Sequence, residues 1–488
     1  MTYAKALQAP HRRRPGARLR DRESRLHLRR ARAARVTAAT CVVVAVALLI
    51  PLLPFGEGWN AVLLLSCFGV VIPLVVAFRT RSWPGDPLVL TALAVLIFFV
   101  VRPSIDLLGG DFRWAGIDVS DHYDQALNVT AATVLPYLAV LVLVRRRNAF
   151  RRIPAERSLL PVGYWLLAAM AALGAASVVA SVVLAGGAAA YFGKRGLGGY
   201  ENQVAFLAQM VILSLASAVG FFHFVARRRH GVTLAAIASI PVLATVLRGD
   251  RRYLVALVVA LSLSWLSRRW GTKGVVTRAI VLALVLLVGA VAVEVFRPEA
   301  SRAAWSAKSS ISDAAVGVLT GQSTAMTSAI ALGLHDLEAG GQAGFGVGRY
   351  TLAETILQPV PRQLLPEKPL SIRTTLIAMR FGVEGWTCRA LCPTFTPVVT
   401  FVADFGIAGA VLGGSLLGLV VAGWYAWSLA SRRASATVAA YCASSFAVFS
   451  MWWGSLADLT VAILLGSVPL AVVGLLGTSR SAGERPSE

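Results

Sequence analysis

Read along its length, the chain alternates long apolar runs with short polar breaks, and most of the breaks carry arginine. A membrane helix needs about 20 largely apolar residues. Runs of that kind cover Val36–Leu53, Trp59–Phe78, Pro87–Val101, Leu127–Val144, Leu159–Ala185, Val204–Ala226, Val232–Leu247, Tyr253–Ser267, Thr277–Phe296, Thr396–Leu429, Thr437–Trp453 and Leu459–Leu476. The pattern predicts an all-α, polytopic integral membrane protein with about twelve transmembrane helices. The third and eighth runs are short and the tenth is long.

The breaks test that count, because cytoplasmic loops collect Lys and Arg. One alternate set holds Arg79 and Arg81, Arg145–Arg147 with Arg151 and Arg152, Arg227–Arg229, Arg268 and Arg269 with Lys273, and Arg432 and Arg433. The other set holds Glu57, then Asp106, Asp111, Asp118, Asp121 and Asp124, then Asp458. Both termini are therefore expected in the cytoplasm. The expected domains are a basic tail (1–35), an N-terminal transmembrane bundle (36–296), an extracytoplasmic loop domain between the ninth and tenth helices (297–395), C-terminal transmembrane helices (396–477) and a short cytoplasmic tail (478–488). One turn breaks the rule. Leu247–Tyr253 reads LRGDRRY and puts Arg248, Arg251 and Arg252 outside. Either a helix is miscounted there, or the outer ends of two helices form an anion site.

Composition narrows the partners. The chain is 57% hydrophobic and 15% charged, against about 25% charged in soluble domains. Its net charge of +23 lies in short runs between apolar segments, a mark of topology, so no nucleic-acid partner is expected. Residues 1–35 hold twelve Lys/Arg against two acidic residues, with no cleavage signature after the first apolar run. Of the five cysteines, Cys41, Cys67 and Cys442 lie in apolar runs and read as small core residues. Cys388 and Cys392 lie in the polar block, where a disulfide would need a turn between them; whether they pair stays open. No second Cys or His pair stands at ligand spacing, so no metal is expected.

The polar block 297–395 is the chemically distinctive part. It contains Gly344–Tyr350 (GFGVGRY), Pro361–Pro369 (PRQLLPEKP), Arg373 and Arg380. The glycine run lacks a dinucleotide fingerprint and reads as a turn or a close backbone approach. Pro359, Pro361, Pro366 and Pro369 stiffen the stretch that carries Arg362 and Lys368. Ser371–Phe381 reads as a helix with Arg373 and Arg380 on one face, and Ile311–Leu334 as a surface helix or a spacer. A long cationic segment between membrane helices suits an anionic, lipid-linked substrate.

Three stretches resemble the O-antigen polymerases, the oligosaccharide repeat unit polymerases of the Wzy-like family. They are Arg248–Leu254, opening a membrane helix; the glycine-rich stretch followed by PRQLLPEKP; and Pro393–Gly418 (PTFTPVVTFVADFGIAGAVLGGSLLG). The likeness covers roughly the C-terminal half. The chain departs from the family pattern in two places: Val398–Ala403 lacks a frequent Glu, and Asp404 stands where Asn is usual.

The resemblance implies a membrane glycosyltransferase with no cofactor, which moves a growing glycan from undecaprenyl diphosphate onto another lipid-linked repeat unit. It also implies partners in membrane lipids and in a chain-length regulator and flippase of the same pathway. A ligase passing the glycan to another acceptor, or a lipid-oligosaccharide transporter, is the alternative. Arginine forks bind phosphate bidentately and keep their charge. Arg248, Arg251, Arg252, Arg349, Arg362, Lys368, Arg373 and Arg380 are therefore the candidate diphosphate and glycan ligands. His335, the one histidine of the block, is the candidate general base. Asp404 and Glu294 are ionisable groups in or beside apolar runs and so candidates for chemistry; Glu294 can instead pair with Arg297.

Overall fold

The structure, a computed structural model, describes residues 58–80, 82–114, 117–144, 159–184, 186–193, 201–225, 229–247, 252–269, 324–340, 346–357, 360, 365, 367–369, 372, 375–376, 395–430 and 434–477. The basic tail and the expected spans Val36–Leu53 and Thr277–Phe296 lie outside them. So do Arg248, Arg251, Glu294, Arg362, Arg373, Arg380, Cys388 and Cys392.

The described chain is mostly helical. Helix α1 is Trp59–Arg79 and α2 is Pro87–Gly109. A two-residue hairpin, β1 (Arg113–Trp114) with β2 (Ile117–Asp118), leads into α3, Ser120–Val144. Then follow α4 (Pro161–Leu184), α5 (Ala188–Gly193), α6 (Glu201–Val225), α7 (Arg229–Leu247) and α8 (Arg252–Arg269). Helix α9 is Met326–Ala339. A wide turn, Arg349–Ala353, runs into Glu354–Leu357 to make α10. The last three are α11 (Pro397–Ala430), α12 (Ala434–Ser450) and α13, which runs from Leu456 through Ala462–Ser467 to Gly477.

Six of these helices are long and apolar enough to cross a membrane, and α12 with the apolar parts of α6 and α7 are shorter. What covers them agrees. Helix α4 buries Gly163, Leu167, Ala171, Gly174, Ser177 and Ser181 and exposes Val162, Trp165, Leu173, Val179 and Val183. In water that apolar face would be a large unsolvated patch; lipid removes the penalty. Cys67, expected in the core, is on the exposed side of α1.

Prolines shape three of the spans. The i→i+5 segments Leu65–Val71, Leu96–Val101 and Ala462–Ser467 each end just before Pro73, Pro103 and Pro469. Proline has no N–H and its ring crowds the carbonyl four residues back. Widening the preceding turn gives that carbonyl room without ending the helix. This is how the third apolar run, short by hydropathy, continues to Gly109.

Packing falls into two apolar clusters. One joins α1, α2, α3, α9, most of α11, the end of α12 and the start of α13; the other joins α4, α6, α7, α8, the body of α12 and the end of α13. Glycines let α11 lie against α3. A Cβ on Gly418 would come 2.7 Å from the Tyr137 carbonyl oxygen, and one on Gly414 would strike that of Thr133. Small residues of this kind are what close helix contact requires where no water drives association.

The 82–86 loop closes one end of the bundle. Trp83 donates through Nε1 to the Tyr425 hydroxyl (3.1 Å), and Tyr441 donates to the Gly85 carbonyl (2.6 Å). At that end the Leu160 N–H also meets the Gly477 carbonyl. At the opposite end lie the hairpin, α9, α10 and the start of α8, whose Arg252 guanidinium is 5.9 Å from the Trp453 ring centre.

Candidate functional site

Helix α11 is where that second end is organised. Its regular path breaks at Gly406, with φ +64° and ψ −158°, a backbone region open essentially to glycine. In an unbroken helix Phe401 and Gly413 would stand roughly 18 Å apart along the axis. Instead the Phe401 ring covers Gly413, and a Cβ there would overlap it. The first two turns of α11 therefore fold back over the rest, and Asp404 sits at the fold.

Asp404 is 1% exposed, yet its partners are amides from a segment more than fifty residues earlier. The Tyr350 N–H donates to both carboxylate oxygens (3.2 and 3.1 Å), and the Thr351 N–H donates to Oδ2 at 2.6 Å. The reason lies in the glycine run. The residue capping α10 is Gly348, which has no side chain to accept from the first free amides. Those orphan donors need an acceptor, and Asp404 supplies it from another helix.

The approach is close. The Gly346 N–H donates to the Ala403 carbonyl (3.1 Å) and the Val347 N–H to that of Asp404 (3.2 Å). A Cβ on Gly346 would collide with the Asp404 carboxylate. Val347 and Gly348 both have positive φ (45° and 86°), closing a tight turn in which the Arg349 N–H meets the Gly346 carbonyl at 2.9 Å. The glycine run is thus both a turn and a close backbone approach.

The turn leaves Arg349 exposed, its guanidinium 5.5 Å from the Tyr350 ring centre. One turn on, Glu354 is buried and accepts the Ile372 N–H at 3.1 Å, which ties Ile372 to α10. Ile372 and Leu376, from the expected Ser371–Phe381 helix, are buried there. Lys368 donates through Nζ to the Val360 carbonyl (3.2 Å). Among the described residues, the hydroxyls of Thr351, Thr355 and Thr375 are buried without a hydrogen-bonding partner in the protein.

A second polar group lies where α3 meets α9. Helix α9 starts at Met326 and is largely buried, so it is an inner helix and not a surface cover. Its Gly333 packs on Phe395, just before α11, and on Val399 of α11. His335 and Glu338, three residues apart on α9, meet His122 and Gln125, three apart on α3. Gln125 donates to Glu338 Oε1 (2.7 Å), His122 Nε2 is 3.2 Å from Oε2, and the two imidazoles stand edge to face with centres 5.0 Å apart. The Gln125 amide, then His122, hold the Glu338 carboxyl below its usual range.

A third group, beneath the hairpin, is Arg102 with Asp106 (Nε to Oδ1, 2.8 Å), the latter also accepting from Tyr123 (2.9 Å). Sequence reading counted Asp106 as a loop charge and passed over His122, Glu354 and Arg102. Arg102 and Asp106, four apart beside Pro103, carried the readable signal. Of the expected ligands, Arg252, Arg349 and Lys368 are described and all lie at this end of the bundle. No group of His, Cys, Asp and Glu suited to a metal ion occurs among the described residues.

No protein-family model, curated protein or solved structure matches this chain.

Proposed function

We propose that the chain is a multi-pass membrane glycosyltransferase that polymerises undecaprenyl-diphosphate-linked oligosaccharide repeat units into a surface polysaccharide. In this reading about twelve helices span the cell membrane, both tails are cytoplasmic, and the 297–395 block faces outward. The observation that carries it is the Asp404 contact: a polar, arginine-bearing segment is fastened by its own backbone to the broken end of a membrane helix. The contact holds Arg349, and through Glu354 also Ile372, at a fixed spot on that broken helix end.

The chemistry required is electrostatic. A pyrophosphate leaving group gathers charge as the sugar departs, and pre-placed cations stabilise that charge more than they stabilise the bound substrate. Arg252, Arg349 and Lys368 take that part, with the unpartnered hydroxyls of Thr351, Thr355 and Thr375 as complements to sugar hydroxyls.

The test is incubation of purified protein with a synthetic undecaprenyl-diphosphate oligosaccharide, with and without chelator. A glycan ladder in both conditions supports the reading. Transfer to a different acceptor with no ladder converts it to a ligase, and movement of the substrate across a vesicle without extension converts it to a transporter.

A further inference from the structure

Any such transfer needs a group to take the proton from the acceptor sugar's hydroxyl. Sequence offered His335, yet the structure gives the supporting carboxylate to a different imidazole. Glu338 faces His122, not His335, and Gln125 fixes the other oxygen of Glu338. With Nε2 turned to a carboxylate, the neutral ring carries its hydrogen there, which leaves Nδ1 as the acceptor. An imidazole oriented by an acid that is itself held by a third group is the arrangement of an activated base. Glu338 acts on His335 only through space, without a hydrogen bond to orient it; His335 is exposed, its ring centre 5.0 Å from that of His122.

Position agrees. His335 lies two residues beyond Gly333, which packs on Val399, and Asp404 is five residues further along the first part of α11. The His122 group and the Asp404 contact thus belong to the same end of the bundle, joined through the packing of α9 on α11.

We propose that His122 is the general base of the transfer and that Glu338, held by Gln125, is its positioning residue; the assignment rests on the glycosyltransferase reading above. The acceptor hydroxyl gives its proton to His122 Nδ1. Its oxygen forms the new bond to the anomeric carbon while the bond from that carbon to the diphosphate oxygen breaks, and the electron pair leaves with the diphosphate. Glu338 stabilises the imidazolium, which then releases its proton to water.

The experiment compares single variants of the full chain in the ladder assay, with thermal stability in detergent measured alongside. His122→Gln keeps a donor for Glu338 and so keeps the helix contact, but it cannot accept a proton. Its kcat falls by about 100-fold or more, its KM for the lipid-linked donor stays level, and the acid limb of the pH–rate profile disappears. Glu338→Gln loses less rate and retains that limb. Asp121→Asn, one residue away and exposed, behaves as wild type. If His122→Gln keeps more than half the wild-type kcat, or if His335→Ala and not His122→Gln removes the acid limb, the assignment is overturned. A wild-type protein that makes no glycan ladder at all overturns the underlying reading instead.

Discussion

Asp106 and Asp404 are two buried carboxylates at the same end of one bundle, and they are satisfied in opposite ways. Asp106 is held by side chains: Arg102 on its own helix and Tyr123 on the next. Asp404 is held by main chain alone, through the amides of Tyr350 and Thr351. The first is an ion pair whose members need one another; the second is a clasp between distant segments. A buried pair fixes two helices, whereas a buried cap fixes where a loop begins.

The difference is sharpest when one partner is removed. Asp106→Ala takes the carboxylate from a buried guanidinium, which costs about 3–5 kcal/mol, and removes the acceptor of the buried Tyr123 hydroxyl, about 1–3 kcal/mol more. The check is thermal unfolding in detergent, where Asp106→Ala should fall furthest. Replacing Arg102 and Asp106 together by Met and Leu should recover most of that loss. If the double variant is as unstable as the single, the two do not act as a pair.

Asp404→Ala ranks next, because two buried amides lose their acceptor at about 1–3 kcal/mol each. Asp404→Asn keeps an acceptor oxygen and should lose under about 1 kcal/mol. The readout separates the two aspartates: limited proteolysis should open the chain near Gly346–Leu357 in Asp404→Ala and leave it closed in Asp106→Ala. Gly346→Ala drives a methyl group toward the carboxylate and should cost about 1–3 kcal/mol, with the same cleavage pattern. Unchanged proteolysis in both would mean that the clasp does not hold the loop.

The smallest effect belongs to Glu338. Its folded carboxyl is held below the ordinary value of 4.5, first by Gln125 and then by His122. The stability this contributes is fully present above about pH 4.5 and is lost as pH falls through the lower folded value. Glu338 is 49% exposed, so solvent keeps the contribution to about 0.3 kcal/mol. A stability-against-pH curve that loses this small acid-side drop in Glu338→Gln is the check.

The helices were legible because lipid demands continuous apolar length, and Trp59–Arg79 and Pro161–Leu184 follow their hydropathy closely. Asp404 was legible as an ionisable residue in an apolar run. Its use was not, since the groups that hold it are backbone amides, which no side-chain letter marks. Gly346 and Gly348 announced a turn but not what it would lean on. His122 was hidden among aspartates, and only the contact between α3 and α9 singles it out. Pro103 broke the apolar run by hydropathy alone, while the widened turn before it carries the helix on.

Because the clasp joins residues 346–351 to residue 404, the chain that leaves the one returns to the other, and its length is set by a loop closed at that point. Doubling the length of such a loop costs only about 0.6 kcal/mol of loop entropy. Changes of length there should therefore cost the bundle little stability, provided Gly346 and Asp404 are kept.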